Sequence, residues 1–446
     1  MQEIIFKMLL VMISFCFYFQ SKLIKGKVGT YLFPPCIFSM AWFFFTIFPL
    51  LFLPQIVVSL FGIAYIFTCT LAFSLSAIPF NWKLAYEKNA TRSWHYLNEI
   101  NSPFIKYCFY GSVTLAILFT IIAAMNNGFD FHRIFFNLME VSKDYARKRE
   151  AGQINYAFAG KVSVMFMYGS SALGALLYCV NANKFYKNFI LVFSLIPALY
   201  VMLTQSSKIV LIIAIFYFIA SNLLFNILSN KLEIFNKKII IKIFFCGLIL
   251  ILPVVVSIIA RGNNLLGNIG IFNLLLHSFN SYVLGSFLAF SDFFANYLGF
   301  PSLIDYEHHQ QFWGRYTVKS IFDFLNMGSQ FPVGIYSEQY KIDNLINTNI
   351  YTIFRGLIYD FGIFGSIVFI FLIGLVINGF FYRLLSDEQN IFAAVFFITS
   401  IVFILFTDLM SLFMARYTFL VFAFLYFVLK CNALIYKIPT FTQDGK

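Results

Sequence analysis

The stretch Asn347–Gly365, NTNIYTIFRGLIYDFGIFG, lies where the longest polar loop of the chain meets one of its most apolar segments. It brings Arg355 and Asp360 to the boundary between water and the hydrocarbon of a membrane. A charged side chain at that depth is costly unless it is paired or faces a wet cavity. The stretch therefore predicts that both charges have a function, and the other candidate residues are interpreted by their position relative to it.

The composition is that of a membrane protein. Of the 446 residues, 61% are hydrophobic and 11% are charged, whereas ordinary soluble domains carry about 25% charged residues. Several apolar runs exceed the roughly 18 residues that suggest a membrane-spanning helix. These features predict an all-α fold, a polytopic integral membrane helical bundle in which residues 1–446 form a single membrane domain.

About eleven transmembrane helices are predicted from the apolar runs. The predicted spans are residues 3–20, 30–50, 52–76, 107–125, 160–180, 187–204, 208–227, 240–260, 354–382, 390–408 and 416–434.

The positions of Lys and Arg predict the orientation of the bundle, because cytoplasmic loops of membrane proteins are enriched in these residues. One alternate set of connections contains just over half of the 31 Lys and Arg residues, mostly in short loops. With this set in the cytoplasm, the N-terminus lies outside, the C-terminus lies inside, and 126–159 and 261–353 become two long periplasmic loops. The run 271–290 is not counted as a span, because it would reverse the side of the Lys-rich loops. The net charge of +12 is thus interpreted through the distribution of Lys and Arg between the two sides of the membrane. No nucleic-acid partner is predicted.

The first long loop contains a candidate anion site. Its middle is amphipathic, and it ends in the cluster Arg147-Lys148-Arg149. The cluster is either a solvated charge run on a surface helix or a site where planar guanidinium groups grip phosphate oxygens. Lys208, at the start of the seventh span, either extends to the outer headgroups or adds a cation to such a site.

The second long loop begins at Arg261 and is closed by Arg355, so these two side chains can converge at the same membrane depth. The loop is rich in aromatic residues and carries slightly more acidic than basic groups, which suits sugars better than a polyanion. Arg315 and His308 are among its polar candidates. His308 is either a base or part of a solvated turn, and no metal site is predicted, because adjacent His side chains rarely share one metal.

The quoted stretch resembles the closing signature of the O-antigen polymerases, the Wzy-type oligosaccharide repeat-unit polymerases. That signature is an Asn, then Tyr-Thr, then Arg, then an aromatic-Asp-Phe-Gly group that enters a long span. It is matched here by Asn349, Tyr351, Arg355 and Asp360.

Other segments carry the same resemblance. They are residues 28–50 with Pro34, Pro35 and Trp42, residues 281–294 with Tyr282, and the pair Gly314 and Thr317. Two features depart from the family pattern. Ser206-Ser207-Lys208 stands where the family often has Gly-Ser-Arg, and the spacing Arg-x10-Gly of some members is absent.

The resemblance implies a GT-C-like glycosyltransferase of the bacterial inner (plasma) membrane. It would polymerise undecaprenyl-diphosphate-linked oligosaccharide repeat units into O-antigen or capsular polysaccharide. A hydroxyl of a new lipid-linked unit attacks the anomeric carbon of the growing chain, and undecaprenyl diphosphate leaves. The implied partners are the lipid-linked oligosaccharide, membrane lipid and a chain-length regulator protein, and no cofactor is implied.

The catalytic candidates are Arg355, Arg261 and Asp360. The two Arg side chains would hold the diphosphate, and Asp360 would act as base or orient Arg355. The alternative for Asp360 is an ion pair with a cation on another span that only holds the bundle together. The candidate substrate-binding residues are Lys208, Arg147, Arg149, Asn349, Tyr351, Tyr282, Arg315 and His308.

Two other functions remain open. An O-antigen ligase shares the reaction logic but transfers polysaccharide to a lipid A core. A lipid-linked oligosaccharide flippase, which is not an enzyme, would need a cationic cavity through the membrane, whereas the charges of this chain cluster at the outer boundary.

Overall fold

The computed structural model describes residues 2–91, 100–154, 158–231, 271–306, 313–325, 336, 338–343, 345–387, 390–415 and 417–437. The helices are α1 Gln2–Val28, α2 Pro34–Phe52, α3 Leu60–Leu75, α4 Trp82–Ala90, α5 Pro103–Asn126, α6 Phe131–Phe136, α7 Leu138–Glu150, α8 Phe158–Val180, α9 Lys184–Gln205, α10 Lys208–Leu228, α11 Ile271–Phe279, α12 Gly285–Tyr297, α13 Lys319–Phe324, α14 Ile353–Ser386, α15 Ile391–Phe406 and α16 Tyr417–Lys437. A π-helical turn, Asn280–Leu284, joins α11 to α12, and β1 (Tyr340–Ile342) pairs with β2 (Ile346–Thr348) in an antiparallel hairpin.

The prediction of a polytopic helical membrane bundle is confirmed. Eight of the described helices are long and apolar enough to cross a membrane, and two shorter apolar helices, α3 and α15, have 16 residues each. Together they coincide with all but one of the predicted spans. The exception, 240–260, lies outside the described residues.

The third span is shorter than predicted. The apolar run suggests a helix from residue 52, but α3 begins only at Leu60. Pro54 follows the end of α2, and proline biases the residue before it away from helical geometry. A turn at residues 54–55 follows, and the link ends at Ser59, whose backbone N–H donates to Ser291 Oγ at 2.6 Å.

The centre of the bundle is α8, which packs against α5, α9, α10 and α16. Two glycines permit this close packing. A Cβ on Gly174 would lie 2.5 Å from the Cβ of Ser194, and a Cβ on Gly169 would lie 2.4 Å from the Phe424 ring. Small residues at helix contacts are how membrane helices approach closely enough for dispersion forces to hold them.

The connections predicted to face outwards meet at one end of the bundle, here called the loop end. Ile353 N–H donates to the Thr407 carbonyl at 2.8 Å, and Ser411 Oγ donates to the Thr317 carbonyl at 2.7 Å. The connections predicted to be cytoplasmic meet at the opposite end, where Asn89 Nδ2 donates to Asn230 Oδ1 at 2.5 Å. Loops that were predicted to lie on opposite sides of the membrane are therefore found at opposite ends of the bundle.

The apolar part of the second long loop packs into the loop end. Helix α12 lies against the first turns of α3, where a Cβ on Gly62 would be 3.2 Å from the Ser291 backbone. The rings of Tyr65 and Phe294 stack with centroids 4.7 Å apart. Run 271–290 thus lies in two α-helices that the π-helical turn Asn280–Leu284 joins without a gap.

Candidate active site

The long helix α14 is broken at Gly362, nine residues after its start. Gly362 has φ 71° and ψ 179°, a combination that essentially only glycine adopts. The break leaves carbonyls without helical partners, and the Asp360 carbonyl instead accepts from Trp313 N–H at 3.2 Å. The Ile363 carbonyl accepts from the Tyr65 hydroxyl at 3.4 Å. The first segment, 353–361, is therefore a separate short helix that carries both Arg355 and Asp360.

A Gly362→Ala protein is expected to lose stability by about 1–3 kcal/mol, because alanine would be held in a region that a Cβ disfavours. The measurement is thermal unfolding of the purified protein in detergent. Gly379→Ala is the matched control on the same helix, since a Cβ there would meet Phe80 at 3.6 Å, an ordinary contact. Equal unfolding temperatures for the two variants would contradict the role given to the break.

The Arg355 side chain is completely enclosed, with an exposed fraction of 0%. Its guanidinium carbon lies 3.9 Å from the ring centroid of Tyr336 and 4.1 Å from that of Tyr351. Three further rings surround it at 4.8–5.3 Å, those of Phe293, Tyr306 and Tyr359. Cations over aromatic faces are stabilised by the ring quadrupole, most strongly where water is excluded. These five rings are called the aromatic cage below.

The cage also contains one carboxylate. Arg355 Nη2 donates to Glu338 Oε1 at 2.8 Å and to the Tyr359 hydroxyl at 3.1 Å. The Glu338 side chain is 10% exposed. The Nε and Nη1 atoms of Arg355 are buried and have no hydrogen-bond partner among the described residues. Within the described part of the chain, the guanidinium therefore has hydrogen-bonding capacity that is not used.

The cage tyrosines outside α14 are neutral at physiological pH. Burial raises the pKa of Tyr351 to about 12, and it raises the pKa of Tyr306 and Tyr336 further. The Tyr306 hydroxyl donates to Asp292 Oδ2 at 2.9 Å. These side chains consequently offer ring faces and hydroxyl donors to a ligand, and they do not act as anionic bases.

Asp360 is fully buried on the other side of the short helix, where it holds the segment that precedes α13. Both carboxylate oxygens accept from Tyr316 N–H, at 3.0 and 3.1 Å. Oδ2 also accepts from Thr317 Oγ1 at 2.6 Å. The partners are neutral donors on a loop, in contrast to the cation on another span that the sequence analysis considered. In this geometry Asp360 orders the loop next to Arg355.

A second cationic region lies at the turn between α9 and α10. Arg149 Nη1 donates to the Gln205 carbonyl at 3.3 Å, and Lys208 Nζ lies 4.3 Å above the Tyr282 ring. Residue 206, a Ser, adopts a left-handed backbone conformation at this turn. The two cations from separate predicted loops are thus brought to one turn, beside an aromatic ring of the second loop.

The other predicted site residues are distributed as follows. Tyr351 belongs to the aromatic cage, and Asn349 is half-buried just before it. Arg147 is exposed on α7, and Arg315 is half-buried in the loop that Asp360 orders. Arg261 and His308 lie outside the described residues, so the expected convergence of Arg261 with Arg355 stays a prediction.

Four residues of the site were not predicted from the sequence, namely Glu338, Tyr336, Tyr306 and Tyr359. Tyr359 had a local signal, because it lies one helical turn after Arg355 in the quoted stretch. Glu338 lies 17 residues before Arg355, and no motif joins the two. The aromatic richness of the second loop was the only indication that rings would gather around the cation.

The segments that carry the sequence resemblance lie against one another. The Trp42 ring lies 5.0 Å from the ring of Phe354, the residue that precedes Arg355 in the chain. A Cβ on Gly285 would lie 2.9 Å from Thr348 Cγ2, so the glycine allows α12 to approach β2. No family model, curated protein or solved structure matches the chain.

Proposed function

We propose that this protein is a glycosyltransferase that polymerises undecaprenyl-diphosphate-linked oligosaccharide repeat units at the outer face of the bacterial plasma membrane. The observation that carries the proposal is the enclosed guanidinium of Arg355, with Nε and Nη1 unpartnered among the described residues. A planar cation with parallel N–H groups suits a diphosphate, because guanidinium binds phosphate oxygens in a fork geometry.

The reaction needs a cation where negative charge develops. As the bond between the anomeric carbon and the diphosphate oxygen breaks, its electron pair stays on the leaving diphosphate. Pre-organised donors aimed at such charge usually supply the largest single contribution to catalysis, and burial strengthens them. Arg355 is the group proposed to stabilise the leaving diphosphate.

The remaining groups have supporting roles in this proposal. Lys208 and Arg149 would contact a phosphate group at the turn between α9 and α10, and the tyrosine rings would stack against sugars. Asp360 is assigned the positioning role that its bonds to Tyr316 and Thr317 suggest. A chain-length regulator protein is a proposed partner of the assembly.

The proposal requires the loop end to face out of the cell, with the N-terminus outside and the C-terminus inside. In a variant without native cysteines, Gln153→Cys should react with an impermeant thiol reagent in intact spheroplasts. Lys88→Cys, which is exposed near the opposite end, should react only after the membrane is permeabilised. The reverse labelling pattern would refute the orientation.

The decisive experiment is the lipopolysaccharide pattern of a deletion strain. A polymerase deletion should leave lipid A core carrying one repeat unit, because ligation of the single unit still works, and the gene in trans should restore the ladder. Bare core with accumulated lipid-linked long chains would instead identify a ligase. A complete ladder in the deletion strain would refute both glycosyl-transfer functions.

A further inference from the structure

Buried or half-buried carboxylates among the described residues of the loop end include those of Asp292, Glu338, Asp360 and Asp408, and the first three differ in what holds them. Asp360 accepts hydrogen bonds from Tyr316 and Thr317. Asp292 accepts from Leu303 N–H at 2.9 Å and from the Tyr306 hydroxyl. In both cases neutral donors of nearby loops are satisfied, and removal of the carboxylate would leave those donors unpaired.

Glu338 is held differently, because its carboxylate pairs with the cation that the proposed reaction needs. The contact joins Arg355 Nη2 and Glu338 Oε1 at 2.8 Å. A diphosphate that binds the guanidinium therefore competes with Glu338 for the same charge. Tyr336, two residues earlier, contributes the ring nearest to the guanidinium.

We infer that Glu338 is the general base of the transfer reaction, and that it becomes available as a base when a lipid-linked diphosphate binds Arg355 and neutralises its charge. The inference rests on the proposed function. It names a catalytic residue that the resemblance does not supply. The role of base is assigned to Glu338, whereas Asp360 is proposed to position the loop.

The physical reason is the change of charge around Glu338. A nearby cation favours the ionised form of a carboxylate and so makes it a weak proton acceptor, whereas a nearby anion has the opposite effect. When a diphosphate neutralises Arg355, Glu338 loses the effect of the nearby cation and gains the effect of a nearby anion. Arg355 is fully enclosed and Glu338 is mostly buried, so both effects are stronger than they would be at a surface.

In the reaction, the acceptor hydroxyl gives its proton to a Glu338 carboxylate oxygen. The hydroxyl oxygen forms the new bond to the anomeric carbon of the donor. The bond from that carbon to the diphosphate oxygen breaks, and the electron pair leaves with undecaprenyl diphosphate, held by Arg355. Glu338 then returns its proton to solvent and pairs with Arg355 again when the product departs.

A short stretch of chain connects Glu338, the proposed base, with Arg355, which is proposed to hold the diphosphate. Glu338 lies two residues before β1, and β2 ends at Thr348, seven residues before Arg355. The hairpin packs against the π-helical turn and α12, where Asn347 N–H donates to Ser281 Oγ at 2.9 Å. The two charged groups are thus held on either side of one small, braced hairpin.

The test separates proton transfer from simple pairing. Glu338→Gln keeps an oxygen that can accept from Arg355 but cannot take a proton at neutral pH. We expect this variant to bind undecaprenyl diphosphate at least as tightly as the wild type, in a binding assay with purified protein in nanodiscs. We expect its polymer yield in the deletion strain to fall at least about 100-fold, the lower end of the range for a general base.

The matched control is Glu140→Gln, an exposed carboxylate (66% exposed) that pairs with Arg133 at 3.7 Å. It should polymerise normally. Wild-type polymer yield from Glu338→Gln would overturn the inference and leave Glu338 as a counter-ion only. Loss of both lipid binding and the folded state in Glu338→Gln would also count against it.

A second variant keeps the inference testable if Glu338→Gln is unstable. Glu338→Ala opens space for a small carboxylate, and formate should restore polymerisation to membranes containing this variant by at least about 10-fold. A purely structural role predicts no rescue of turnover by formate once folding is matched. The proposed function is tested independently of Glu338, because a complete ladder in the deletion strain would refute it whatever the Glu338 variants do.

Discussion

An Arg355→Lys protein is expected to fold and yet to lose polymer formation by at least about 100-fold, the cost of removing one pre-organised donor from an anion hole. Lysine retains the positive charge beside Glu338. It lacks the planar face that lies between Tyr336 and Tyr351 at 3.9 and 4.1 Å, and it cannot form the forked contact to a diphosphate. The measurement is the polysaccharide ladder of a deletion strain at matched protein level.

Arg355→Ala is a less informative variant than Arg355→Lys. It would leave Glu338 largely buried without its cation, and breaking a buried ion pair in this way costs about 3–5 kcal/mol. Loss of polymer would then be mixed with loss of protein. Arg133→Lys is the matched control, because Arg133 pairs with Asp144 on the protein surface at 3.0 Å. A ladder of normal length from Arg355→Lys would remove the guanidinium from the proposed chemistry.

Asp360→Ala is expected to have the largest effect on stability. The change would leave the Tyr316 N–H and the Thr317 hydroxyl buried without an acceptor, each at a cost of about 1–3 kcal/mol. The loop next to Arg355 would lose the bonds that order it, so polymer formation should fall together with the unfolding temperature. Thermal unfolding in detergent measures the unfolding temperature. The polysaccharide ladder of the deletion strain carrying the variant measures polymer formation.

Two comparisons make the Asp360 result specific. Thr317→Val removes one of the donors and should cost about 1–3 kcal/mol, less than Asp360→Ala. Asp387→Ala, at the far end of the same helix and exposed, should leave both readings unchanged. A normal unfolding temperature with complete loss of polymer would identify Asp360 as a chemical participant rather than a positioning residue.

Helix positions in this chain follow closely from local sequence. In a membrane every backbone polar group must be satisfied within the segment, so a long apolar run has the helix as its solution. This is why the runs around 107–125 and 160–180 became α5 and α8 within a few residues. The prediction was less accurate where a proline interrupted an apolar run, as at the start of α3, because hydropathy does not register backbone geometry.

The quoted stretch also identified part of the site. Arg355 and Tyr351 are both in the aromatic cage, and the Gly362 that ends the signature is the residue that breaks α14. The break itself was not predicted. An apolar run containing glycine is compatible with a continuous helix, whereas the broken form is accompanied by tertiary contacts from Trp313, Tyr316 and Thr317 to Asp360.

By itself the sequence determined the class of protein, the bundle of apolar helices and the position of Arg355 at the end of the second long loop. These depend on composition and on neighbours within one or two helical turns. The tertiary structure alone decided that Glu338 pairs with Arg355 and that Asp360 binds a loop rather than a cation. Such pairings join residues 17 and 43 positions apart, and their partners are selected by how the loops fold over α14, which no local pattern encodes.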